Sequence, residues 1–160
     1  AMVDWSAVFL RIVVGATDSQ AALGYSVFSV MMVVTRLCGG IIVERFGPVL
    51  TTRLCALIAF AGLVIAMFSQ SLTPVLIGFA LMGIGYAVIM PLVFSRAARD
   101  PDVAPGPAIA SVATLGYGGM LLGPPVIGFI AQVTGMRYSF GVLAGLTLLA
   151  FFLASHLRRN

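Results

Sequence analysis

Lysine is absent from these 160 residues, and charge of any kind is scarce: nine arginines, five carboxylates and one histidine. Charged residues make up 9% of the chain, against about a quarter in a soluble domain. The chain is 61% hydrophobic with a mean hydropathy of +1.12. A water-soluble core of this length could not hide so much apolar surface, so lipid is the expected solvent. The single histidine, His156, sits at the very end. No His, Cys and carboxylate cluster has the spacing of a metal site, so neither metal nor catalytic residues are expected. No glycine-rich loop ends in Lys-Ser/Thr, which removes an ATP site, and Gly83-Ile-Gly85 lies inside an apolar run rather than after a strand. An enzyme and a cofactor are therefore not expected. No basic cluster exceeds two adjacent residues, which argues against nucleic acid as a partner. Cys38 and Cys55 lie in or beside apolar runs, make no disulfide framework and read as small packing residues. No cleavable signal peptide is visible in the opening Ala-Met-Val-Asp4-Trp5.

What the chain does have is long uncharged runs. Ser19 to Thr35, Leu54 to Phe68 and Leu72 to Phe94 carry no charge, and Val103 to Met136 is 34 residues without one. A bilayer-spanning helix needs ~20 mostly apolar residues. Transmembrane β-strands alternate polar and apolar residues, and these runs do not. The expected fold class is all-α: a polytopic transmembrane helix bundle with spans at about 1–16, 20–43, 49–69, 73–96, 107–133 and 137–157. The first segment covers only ~24 Å at 1.5 Å per residue, short of a ~30 Å hydrocarbon core. It reads either as a truncated span, making the chain a fragment, or as a half-inserted helix. The whole reads as one transmembrane domain, 1–160.

Arginines orient the spans. Arg45, Arg53, Arg96, Arg99, Arg158 and Arg159 fall on one side, and Arg11 and Arg137 on the other. This six-to-two excess assigns the charged loops and the carboxyl terminus to the cytoplasm.

Few polar groups lie within the spans, and an ionisable one there is a functional candidate by default. Arg36 stands ~12 Å deeper than Glu44 along one helix. It either lines a pathway or pairs with an acid, or it snorkels to the head groups. Asp4 contacts solute or carries a proton, or is a solvated outer-surface residue; it shares a helix face with Arg11. Trp5 reads as an interfacial anchor. Tyr25, Tyr86 and Tyr117 bring hydroxyls into the spans, as core or as pathway. Pro91 and the Pro124-Pro125 pair bend helices, and bent helices around a midplane cavity are common in transporters. Gly119 and Gly123, among many small residues, allow close helix approach.

Gly40-x-x-x-Glu44-Arg45-x-Gly47 resembles the Gly-x-x-x-Asp-Arg/Lys-x-Gly signature of the major facilitator superfamily, with Glu44 in place of the usual Asp. In that family the motif joins the second and third helices of each six-helix half, as it does here. Further stretches are similar to the carboxyl-terminal half of a bacterial permease subgroup of unassigned substrate: Asp4 to Arg11, Ala22 to Tyr25, Thr35 to Gly40 and Gly116 to Gly128. Gly123-Pro124 also resembles the fifth-helix motif of proton antiporters, which would suit an amino-terminal half. Because the chain stops three residues after Leu157, with no long central loop following, the carboxyl-terminal half is preferred.

The resemblance implies half of a 12-helix secondary transporter working by alternating access, proton-coupled, in the bacterial inner membrane. Its partners would be lipid, the missing amino-terminal half, a small solute and protons. Gly40, Glu44, Arg45 and Gly47 would form the cytoplasmic gating motif. Asp4 is the only embedded acid for coupling. Two other readings stay open: a self-sufficient half-size protein that dimerises, and a non-transporting membrane assembly subunit.

Overall fold

The computed structural model describes residues 2–157. The described residues form seven α-helices and contain no strand. Helix α1 (Met2–Phe9) runs into a π-helical turn, Leu10–Val14, that stops at Gly15 with φ 70°. There follow α2 (Asp18–Phe46), α3 (Pro48–Phe68), α4 (Leu72–Tyr86), α5 (Ile89–Ala97), α6 (Pro105–Thr134) and α7 (Met136–Leu153), the last ending in a 3-10 turn, Ala154–Leu157. Among the described residues, five helical segments are long and apolar enough to cross a membrane: 18–46, 48–68, 72–97, 105–134 and 136–156. The described part of the first segment, Met2–Phe9 with Leu10–Val14, is not among them. The fourth span is two helices rather than one, interrupted at Ala87 and Val88.

Local chemistry sets the ends. Thr17 opens α2 with a capping box: its hydroxyl accepts from the Gln20 N–H, and the Gln20 side chain accepts from the Thr17 N–H. Gly47, at φ 78°, is the sole residue between α2 and α3, and Pro48 is pre-shaped for the first position of α3. At the other end Arg137 donates to the Met67 carbonyl and, at 3.0 Å, to the Ser69 carbonyl. A cation thus caps the negative end of α3.

Helix α4 packs between α2 and α3. Its glycines let backbones meet: a Cβ at Gly78 would strike the Gly62 carbonyl of α3, and one at Gly83 would strike the Phe28 carbonyl of α2. In lipid, where tails are as apolar as leucine, such close approach holds helices together. Three fully buried rings, Phe9, Phe79 and Phe140, tie α1, α4 and α7, with centroids 4.4 to 6.2 Å apart. Helix α6 is different. It runs unbroken through Pro124 and Pro125, and Leu115, Leu121 and Phe129 are each more than two-thirds exposed.

Candidate functional site

At the end of the bundle where α2 finishes and α5 finishes lies a cleft of about 810 Å³. Its walls are Arg36, Gly39, Gly40, Val43 and Glu44 from α2, and Ala87, Pro91, Ser95, Arg96 and Arg99 from the fourth span and its loop. The charges of two separate loops therefore converge on one opening. Arg96 donates to Asp100 at 3.4 Å, and Asp100 also accepts from the Asp102 N–H at 3.0 Å, which folds the loop back. Arg53 lies over the Phe151 ring at 5.6 Å, so the carboxyl end of α7 stands at this same end of the bundle. Arg137, capping α3, stands at the opposite one. The structure thus gathers Arg45, Arg53, Arg96 and Arg99 at one end; Arg158 and Arg159 lie outside the described residues.

The turn motif is a tight corner closed by the single residue Gly47. Gly40 has no atom within 4 Å of where a Cβ would stand, so its bareness opens the cleft rather than admitting a helix. Glu44 and Arg45 are exposed and make no ion pair among the described residues. Exposed charges without an ion-pair partner are available to another surface.

Arg36 reaches across the cleft. Its Nε donates to the Ala87 carbonyl at 3.1 Å, a contact between α2 and the break in the fourth span. It pairs with no acid among the described residues. The sequence suggested Arg36 within a span but did not reveal this partner. The signal was there in part: Pro91 frees the carbonyl four residues earlier, which is Ala87.

The other candidates are scattered. Asp4 is exposed on α1. Arg11 pairs with Asp18 across the turn. Tyr25 is exposed and stacks on Phe28, and Tyr117 is 67% exposed. Tyr86 is inside, with its hydroxyl 2.6 Å from Thr147 Oγ1 on α7. Gly119 and Gly123 have nothing within 4 Å of a would-be Cβ. Trp5 donates its indole N–H to the Pro124 carbonyl at 3.1 Å, and its ring fills the space beside Gly128. That contact was legible only as a Gly one turn beyond a Pro pair. No group of three or more metal-ligating side chains occurs among the described residues.

Three curated proteins show what the chain is similar to. It is 44% identical over 98% of its length to an uncharacterized transporter, y4wD, of Sinorhizobium fredii, and covers 41% of that protein. It is 41% identical over 92% of its length to an uncharacterized MFS-type transporter of Yersinia pestis, covering 38% of it. The membrane protein MosC of Rhizobium meliloti is 35% identical over 85% of the chain, which covers 33% of MosC. The chain thus spans about two fifths or less of the length of these relatives. No solved structure matches it. The family model of the Major Facilitator Superfamily matches residues 2–160, the same stretch that carries the turn motif, the apolar helices and the charged cleft, and the chain belongs to that family.

Proposed function

We propose that this chain is one six-helix half of a secondary active transporter that moves a small solute by alternating access. The observation that carries the reading is the cleft between α2 and α5, where Glu44 and Arg99 are exposed, with Arg45 next in sequence to Glu44, all three without ion-pair partners among the described residues. In this reading such charges hold one closed state of the two rocking halves and release it in the other. The exposed side of α6 supplies the second half's seat, and the relatives' greater length supports a second half.

In this reading Gly40, Glu44, Arg45 and Gly47 gate the cytoplasmic end, and the carboxyl terminus lies in the cytoplasm of the bacterial inner membrane. The pathway runs past the polar groups of α1, α2, α4 and α6: Asp4, Arg36, Tyr25, Tyr86 and Tyr117. An ion gradient, of protons, drives it, and Asp4 is the embedded acid this half offers. Pro91 and the Pro124-Pro125 pair, with Gly119 and Gly123 beside them, give the helices room to bend.

The test is flux through the full-length transporter in proteoliposomes loaded with a pH-sensitive dye, against radiolabelled sugars, organic acids and amphiphilic cations. One class should move and acidify or alkalinise the lumen. Glu44→Gln should lower that flux about tenfold while insertion stays intact, a shift of the order of a single charge contact. Flux that is unchanged in Glu44→Gln removes the gating role.

A further inference from the structure

The break in the fourth span contains a backbone group that its own helix cannot satisfy. A helical residue donates its N–H to the carbonyl four residues back, but Pro91 has no N–H and its ring crowds that carbonyl. The group affected is the Ala87 oxygen. Ala87 is fully buried, and a buried carbonyl left unpaired is costly. The chain around it has already adjusted. The Ala87 N–H reaches back only three residues, to Ile84 O at 3.4 Å, and the regular pattern resumes with the Leu92 N–H on Val88 O at 3.1 Å.

The missing donor comes from another helix. Arg36 Nε supplies it at 3.1 Å. Three residues on, along the same face of α2, Gly39 leaves a hollow: a Cβ there would stand 2.7 Å from Val88 Cγ1. Helix α2 therefore offers the break both a donor for Ala87 and a space for Val88. The contact uses Nε alone, and the two terminal nitrogens of Arg36 have no hydrogen-bond partner among the described residues.

We propose that Arg36 is a positioning residue that clasps the Pro91 break, replacing the hydrogen bond that proline removes and so fixing how α5 leans from α4. Ser95, Arg96 and Arg99 ride on α5 and the loop after it, so the clasp sets the width of the charged cleft. With the clasp open, Ala87 loses its partner and α5 swings. The bond from Arg36 to the Ala87 carbonyl is a property of the fold and does not depend on the transport reading.

A double-mutant experiment on the full chain in detergent tests it, with spin labels at Ile41→Cys and Ser95→Cys and the native cysteines replaced by serine. The readout is the distance distribution between α2 and the end of α5. Arg36→Met should broaden it, raising the displaced population about tenfold, the shift expected for one buried carbonyl left unpaired. Pro91→Ala restores an N–H at position 91 that bonds Ala87 directly. In that background Arg36→Met should leave the distribution as it is in Pro91→Ala alone. Where Arg36→Met alone does not yield folded protein, the double variant should recover the yield. Equal broadening in both backgrounds, no broadening in either, or no recovered yield in the double variant overturns the proposal.

Discussion

Tyr86 shows how a residue's role follows from its partner. Its hydroxyl meets Thr147 Oγ1 at 2.6 Å, and that threonine also donates to the Leu143 carbonyl at 2.8 Å. Hydrogen bonds between membrane helices average ~0.6 kcal/mol. Tyr86→Phe should therefore destabilise the bundle by about that amount, Thr147→Val by a similar amount, and the double variant by little more; thermal unfolding in detergent checks this. Arg137 carries more. It satisfies two carbonyls at the end of α3, and hydrogen bonds from charged groups contribute ~1.5–3 kcal/mol. Arg137→Ala should lower unfolding stability by about 2 kcal/mol, and Arg137→Lys by less, since lysine keeps the charge without the fork. At this scale the sequence named the polar residues but not their partners. Arg36, Trp5 and Arg137 were visible as isolated side chains, and each partner lies more than 50 residues away on a helix whose rotation no local pattern encodes.

At the scale of elements, glycine and aromatic positions decide which helices touch. Gly78 and Gly83 press on α3 and α2, so bulk there separates backbones rather than side chains. Gly83→Leu should prevent correct folding, seen as loss of a monodisperse peak on size exclusion, whereas Gly119→Leu in the same helix-rich chain should not disturb the fold, because nothing faces it within 4 Å. Phe79 tests the aromatic centre. Phe→Ala in soluble cores costs ~3–5 kcal/mol, and lipid tails lower the transfer part of that penalty, so Phe79→Ala should cost less than that range. The helices themselves were legible because uncharged length is a direct readout of bilayer thickness. The break at Ala87 and Val88 was legible only as Pro91, since proline marks a lost hydrogen bond but not whether the helix bends, stops or is rescued from outside. Pro124 and Pro125 make the point: α6 continues through both.

Across the whole molecule, the two ends are chemically different. One gathers Glu44, Arg53, Arg96 and Arg99 around or beside the cleft, and the other has the uncharged Ser69–Leu72 turn with Arg137 beneath it. Arginine counting anticipated this segregation, because the bias of basic loops is written in composition and needs no tertiary contact. It did not show that Glu44 would stand without an ion partner, which depends on the spacing between helices. Solvent-facing cysteines report the arrangement most directly. With Cys38 and Cys55 replaced by serine, single cysteines at Ser71, Asp102 and His156 can be challenged with a membrane-impermeant maleimide in intact cells. We expect Ser71→Cys to react at once, and Asp102→Cys and His156→Cys only after permeabilisation. Reaction of Ser71→Cys and Asp102→Cys from the same side would contradict the threading on which the cleft, its gate and the proposed transport all rest.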